Sequence, residues 1–119
     1  MRVKIVLATL AFLLFASTGM AYDRACTYIR GCNFKKCKYK TVGESIDEAF
    51  ERPAWESGKA DDGSLIVNVT GIVTWQGKRY NVLMQFAPRP NGFDTNGVAF
   101  NGKEMGKEFL STFVTELCK

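Results

Sequence analysis

The stretch that decides the fold runs from Leu65 to Phe86 and reads LIVNVTGIVTWQGKRYNVLMQF. Apolar residues alternate with other residues in both halves, and this period of two is typical of β-strands. The halves are separated by Gln76-Gly77-Lys78, and a tight turn that contains glycine favours a hairpin. The sequence therefore predicts two long antiparallel strands, in which Gly71 indicates a bulge or a closely packed helix.

The two faces of this predicted hairpin differ in character. Side chains of alternate strand residues point to opposite faces, so the valines at 67, 69 and 73 share one apolar face with Val82, Met84 and Phe86. The other face is more polar, and no other predicted element is matched to it. By elimination it is the candidate binding surface, which consists of Asn68, Thr70, Thr74, Arg79, Asn81 and Gln85.

The N-terminus has the pattern of a secretory signal peptide. Arg2 and Lys4 precede an apolar run, Ile5–Phe15, and small residues occupy the −3 and −1 positions of a cleavage site after Ala21. The run is too short for a spanning helix, although an uncleaved N-terminal anchor is the alternative. We therefore predict a signal peptide over residues 1–21, a periplasmic or secreted protein, and no membrane span in the rest of the chain.

All four cysteines follow the predicted cleavage site: Cys26, Cys32, Cys37 and Cys118. An even number in a small exported chain predicts two disulfides, and three connectivities are possible. Cys118 needs a partner from the N-terminal group, so one bridge is expected to join the two ends of the domain. The spacing is not that of a zinc site and the chain has no histidine, so no metal is predicted.

Residues 22–40 form a cysteine-rich basic segment, which we call the arm. Its candidate electrostatic residues are Arg30, Lys35, Lys36, Lys38 and Lys40. They fit either a solvated, disulfide-clamped segment or a surface for anionic lipid, glycan or nucleic acid. We favour the first interpretation, because so few charges make a weak electrostatic surface. Nucleic acid is not a predicted partner.

Residues 41–119 are predicted to form a single α+β domain. Thr41 and Glu44 have the spacing of a capping box and begin a helix that Pro53 ends. A third strand, Phe93–Phe100, follows the hairpin, and an apolar stripe in 102–119 predicts a second helix. The predicted fold is thus a helix, a three-stranded antiparallel sheet and a C-terminal helix, with a disulfide-stapled N-terminal arm.

The sequence lacks the usual residues of catalysis. Without histidine there is no Ser-His or Cys-His pair, and no glycine-rich phosphate loop occurs. Carboxylates alone support some hydrolases, and Asp94, next to Phe93, comes nearest to an apolar setting. We predict no catalytic residues, no cofactor and no enzymatic activity, with a small carboxylate-dependent hydrolase as an alternative.

Several segments resemble a small bacterial domain of uncharacterised function that is found in exported proteins. They are the helix TVGESIDEAF from Thr41, Trp55, the strand that ends in Thr70-Gly71, and Gln85-Phe86. The resemblance extends over about 41–102 and implies an α-β-β-β-α fold. It implies no activity and no site residues.

Together these observations predict a small exported, non-enzymatic protein. Its expected role is that of a protein-binding accessory, inhibitor or immunity-type module, with an envelope or secreted protein as partner. The alternative is a protein that associates with the envelope surface and binds anionic glycan or lipid through the arm.

Overall fold

The computed structural model of the chain describes the backbone of residues 20–119 and the side chains of residues 24–119. The predicted signal peptide lies outside the described residues up to Gly19. The elements follow in the order α1 (Met20–Gly31), α2 (Val42–Ala49), β1 (Phe50–Lys59), β2 (Leu65–Trp75), β3 (Lys78–Arg89), β4 (Gly92–Phe100), β5 (Lys103–Glu104) and α3 (Lys107–Leu117). The strands form one antiparallel sheet in the order β1-β2-β3-β4-β5.

The predicted hairpin is confirmed as the centre of this sheet. β2 and β3 pair without irregularity from Val67 opposite Phe86 to Trp75 opposite Lys78. The two turn residues between them, Gln76 and Gly77, both have positive φ, at 51° and 83°. This is the conformation of a type I′ turn, whose twist matches that of the strands it joins.

The prediction of a three-stranded sheet is wrong, because β1 and β5 add two strands. β1 pairs with β2, although its residues read as the end of a helix followed by a loop. Its register shifts between Glu51 and Ala54, and Arg52 has a φ of 52°. Pro53 therefore lies in a bulge on an edge strand, where its missing N–H removes no bond between strands. The class is still α+β.

The arm is also different from its prediction, because its first half is the helix α1. Ala25 and Ile29 are four residues apart and are both buried in the core. This spacing is typical of a helix that packs through one side, but it supplies only two apolar positions. The cysteine spacing was the stronger signal in the sequence, and it predicted a stapled arm instead.

The main core lies between one face of the sheet and the helices. We call this the inner face. It carries the valines of β2 together with Val82, Met84 and Phe86, and residues of α1, α2 and α3 belong to the same buried cluster. Phe100 lies at the centre of an aromatic group, with ring centroids 5.0 Å from those of Tyr80 and Phe109.

The two predicted helices are present with shifted ends. The capping box at Thr41 is confirmed, since its hydroxyl accepts from the Glu44 amide and the Glu44 carboxylate accepts from the Thr41 amide. α2 ends at Ala49, before the bulge. α3 begins at Lys107 rather than near Gly102, because β5 takes up the residues between.

One of the two predicted disulfides is formed. Cys37 and Cys118 are bonded, with Cα atoms 5.2 Å apart, so the bridge joins the arm to the end of α3 as expected. The bridge between Cys26 and Cys32 is absent from the structure. Six residues of helix separate two Cα atoms by about 9 Å along the axis. Disulfides need less than about 7 Å, and Cys26 lies in α1 while Cys32 directly follows its end, so the helical rise accounts for the absent bond.

We predict that a Cys37→Ser, Cys118→Ser variant is strongly destabilised. The bridge closes a loop of 81 residues, which contributes about 4–5 kcal/mol in the chain-entropy model. Urea denaturation of both proteins measures this difference. As a companion measurement, the intact mass without reduction is expected to be lower by the two hydrogens of one bond. A mass that shows two bonds would contradict the helical geometry of α1.

We also predict that Gly71→Ala lowers the free energy of unfolding by about 1–3 kcal/mol, as overpacking does. A Cβ at this position would lie 2.8 Å from Cδ2 of Phe50 and 3.0 Å from the carbonyl oxygen of Glu51. Gly31→Ala is the matched control, because its Cβ would meet nothing within 4 Å. If the two variants have equal free energies of unfolding, the close contact between β1 and Gly71 is contradicted.

Candidate binding site on the outer face of the sheet

The structure places all six residues of the predicted binding surface on one face of the sheet, which we call the outer face. Asn68 lies opposite Gln85, and Thr74 lies opposite Arg79. Thr70 and Asn81 lie between these pairs, opposite Leu83 and Ile72. Directly opposed residues of antiparallel strands share a face, so the predicted set is one continuous strip along β2 and β3.

The burial of these residues differs from the prediction of an exposed surface. Thr74, Arg79 and Asn81 are exposed and Thr70 is half-buried, whereas Asn68 is 2% and Gln85 0% exposed. The prediction that Asn68 and Gln85 belong to an exposed surface is therefore wrong. The period of two gives the face of a residue but not its depth. These two lie in the interior of a five-stranded sheet, between strands that the sequence analysis partly missed.

A cleft of about 330 Å³ opens on the outer face. Its floor includes Ile72, Leu83 and Ala99, and its rim includes Glu51 and Arg52. All of its described lining residues belong to strands or turns, so none of the three described helices reaches it. Leu83 and Ala99 also form a buried cluster separate from the main core. The outer face thus has a small apolar depression with a charged rim.

Next to this cleft lies a row of amides whose polar atoms are not satisfied. The amide nitrogen and oxygen of Asn68 and Nε2 of Gln85 are buried, and none has a hydrogen-bond partner in the described part of the chain. Oε1 of Gln85 accepts a bond of 2.9 Å from Nδ2 of Asn96. A buried polar group without a partner costs about 1–3 kcal/mol, so this row lowers the free energy of unfolding.

Asn96 is a residue of this site that the sequence analysis did not identify. The β3–β4 register runs from Gln85 opposite Gly97 to Phe86 opposite Thr95, so Asn96 is the extra residue of a bulge. A bulge re-aims a side chain, and here it brings the Asn96 amide to Gln85. The Asn96-Gly97 pair inside a predicted strand was the available signal, because glycine in a strand often accompanies a bulge.

A larger cleft, of about 770 Å³, lies between α2, β2 and α3 and has three carboxylates on its rim. Each of them is held in a surface ion pair: Glu48 with Lys40, Glu51 with Arg79, and Glu116 with Lys119. Asp94, the carboxylate that the sequence singled out, has a side chain that is 59% exposed and is paired with Arg89. Its setting is therefore solvent and an arginine, not an apolar pocket.

Three of the five basic residues of the arm hold the fold together. Arg30 donates two hydrogen bonds to Asp47, at 2.8 and 3.3 Å, and its guanidinium lies 5.1 Å from the ring centroid of Trp55. The hydrogen bond to Asp47 raises the pKa of Arg30 above its ordinary value. Lys36 and Lys40 make further contacts to α3 and α2. Lys35 and Lys38 are exposed.

Cys32 lies outside the disulfide, and its thiol has little nucleophilic character. Burial raises the pKa of the Cys32 thiol, whose Sγ donates a 3.2 Å bond to the carbonyl oxygen of Tyr28. A raised pKa lowers the thiolate fraction at neutral pH, and the thiolate is the reactive form. Within residues 24–119, no three histidine, cysteine or acidic side chains are grouped as metal ligands.

No protein-family model, curated protein or solved structure matches this chain. The resemblance to the exported bacterial domain therefore stays a prediction. None of the helices in the described chain has the length and apolar character needed to cross a membrane.

We predict that Lys36→Met costs up to about 1 kcal/mol of stability, the size of a partly exposed hydrogen-bonded contact. Its Nζ donates to Oγ of Ser111 and Oγ1 of Thr115, at 2.8 and 3.0 Å, so the change weakens the docking of the arm on α3. Lys35→Met, at an exposed neighbouring position, is the control and is expected to change little. Thermal denaturation compares them. A larger loss of stability in Lys35→Met than in Lys36→Met would contradict the role of Lys36 in docking the arm.

Proposed function

We propose that this chain is an exported, non-enzymatic module that binds another protein of the cell envelope through the outer face of its sheet. The observation that supports this most is the apolar cleft lined by Ile72, Leu83 and Ala99, which none of the described helices covers. Protein interfaces commonly have an apolar centre with a polar rim, in which a few anchoring side chains of the partner are buried.

The surroundings of the cleft fit this role. Glu51 and Arg79 form an ion pair of 2.7 Å, and Arg52 and Asn81 lie beside them, so the rim offers both signs of charge and an amide. Such a rim supplies orientation and selectivity, while the floor accepts an aliphatic side chain. With a volume of about 330 Å³, the cleft is suited to an anchoring residue of a partner.

Export is supported by two independent features. The first is the signal-peptide pattern of residues 1–21. The second is the disulfide between Cys37 and Cys118, since structural disulfides persist in oxidising compartments.

The two alternatives have less support. Binding of anionic lipid or glycan through the arm depends on free cationic groups, and Arg30, Lys36 and Lys40 are engaged within the fold. A carboxylate-dependent hydrolase needs acids in a setting that alters their protonation, and the rim carboxylates of the larger cleft are ion-paired at the surface.

A photo-cross-linking amino acid at Asn81, on the rim of the cleft, tests the proposal in intact cells that export the protein. We expect a discrete adduct with an envelope protein. Ile72→Glu in the same chain is expected to reduce that adduct at least about tenfold, because a charge on the floor removes apolar burial and opposes an apolar anchor.

The control places the same cross-linker at Tyr39, which is 95% exposed and lies on the arm. Equal adducts from both positions, or an Asn81 adduct that Ile72→Glu leaves unchanged, would contradict the proposal. Sedimentation with anionic vesicles that is lost at high salt and in a Lys35→Glu, Lys38→Glu variant would support the arm alternative instead.

A further inference from the structure

We infer that a further cleft, at the end of the sheet where β2 and β4 turn back, is a binding site for an acidic pyranose sugar. This cleft has a volume of about 510 Å³ and is bounded by the two turns and by Met105 and Phe109, at the start of α3. It shares no lining residue with the cleft on the outer face, so the inference goes beyond the proposed function and does not rest on it.

The walls of this cleft are aromatic. They include the rings of Trp75, Tyr80, Phe100 and Phe109. Rings of this set that contact each other are inclined by 50° to 84°, with centroids 5.0 to 6.1 Å apart, so they surround the cleft at angles instead of stacking. All except Phe100 are only half-buried, although they pack against the core. Their accessible ring surface suits the apolar C–H face of a pyranose.

The rim of the cleft is polar, and two turns of the same kind supply its amides. Gln76 and Asn101 each have a φ of 51°, and the glycines that follow them have φ values of 83° and 82°, as in type I′ turns. Oδ1 of Asn101 accepts a 2.9 Å bond from the backbone N–H of Asn81, so its NH₂ group is the part that is left for a ligand. Gln76 is exposed. Sugar hydroxyls both donate and accept hydrogen bonds, so they match such a rim.

The charge of the rim favours an acidic ligand. Lys103 is exposed and lines the cleft, and none of the described lining residues is acidic. Lys103 takes part in none of the ion pairs between described residues. Glu104 is the next residue of β5 and belongs to the opposite face of the sheet. The adjoining cleft of about 770 Å³, which shares Trp75 and Gln76, has three carboxylates instead. A carboxylate is therefore attracted to the Lys103 side and repelled from the other.

Two other classes of ligand fit this cleft less well. An ammonium ligand is attracted to aromatic rings, but the positive charge of Lys103 opposes it and no lining carboxylate offsets that charge. A fatty acid could pair with Lys103 and lay its chain on the rings. Its chain would, however, cover the amides of Gln76 and Asn101 without a hydrogen bond, which is unfavourable. A sugar with a carboxylate satisfies the rings, the amides and the ammonium group together.

The experiment uses the exported, purified chain and methyl β-glucuronide, with methyl β-glucoside as a neutral sugar of the same ring shape. NMR titration follows the indole N–H of Trp75 and the side-chain NH₂ groups of Gln76 and Asn101. We expect saturable shifts of these signals with both sugars, and a dissociation constant about threefold lower for the glucuronide, as an exposed charge pair provides. The indole N–H of Trp55, which does not line the cleft, is the internal control and is expected to stay unchanged.

A variant of Lys103 separates the contribution of charge from that of the rings. Lys103→Met is expected to bind the two sugars with equal affinity, because the rings and the amides are retained and only the ammonium group is lost. Lys59→Met is the matched control. Lys59 is also an exposed lysine at a strand end, but it pairs with Leu65, at the other end of β2, and does not line the cleft. This control is expected to keep the preference for the glucuronide.

Several results would overturn the inference. They are a Trp75 signal that does not respond to methyl β-glucuronide, equal affinities for the two sugars in the unmodified chain, or a preference that survives in Lys103→Met. Tighter binding of hexanoate than of the glucuronide, read from the same Trp75 signal, would assign the cleft to an acyl chain instead. The Asn81 adduct tests the proposed function separately, because Asn81 lines the cleft on the outer face.

Discussion

The pairing of β2 with β3 is the interaction on which the rest of the structure depends. Its ladder is regular over its whole length, and it fixes which side chains lie on each face. The inner face is continuous and apolar, so its burial against the helices stabilises that side of the sheet. α1, α2 and α3 all pack there, and no described helix lines the cleft on the opposite side of the sheet.

That division explains why the outer face has an unusual character. On the inner face, the aromatic group around Phe100 joins α3 to the sheet. On the outer face, Asn68 and Gln85 are buried without satisfying their amides. A protein of this size has a free energy of unfolding of only about 5–15 kcal/mol, so such groups remove a substantial part of its stability. A sheet selected for stability alone would be expected to carry aliphatic residues there.

The arm illustrates how tertiary contacts change the meaning of a charge pattern. In the sequence, nothing distinguishes one basic residue of the arm from another. In the structure, Arg30 is shared between Asp47 and Trp55, and Lys36 ties the arm to α3. These contacts and the disulfide all hold the arm against the rest of the domain. The arm is therefore a structural segment over most of its length. Composition could not reveal this, because the partners lie far away in the chain.

The sequence by itself determined the hairpin, its turn, the capping box at Thr41 and the bridge from Cys118 to the arm. These features depend on local periodicity, on backbone preferences or on the small number of cysteines. Only the tertiary structure decided that β1 joins the sheet despite Pro53, that α1 packs on the sheet through Ala25 and Ile29, and that Asn96 turns toward Gln85. Each of these depends on contacts between distant residues, which offset a local preference or set a burial depth that a pattern of alternation does not contain.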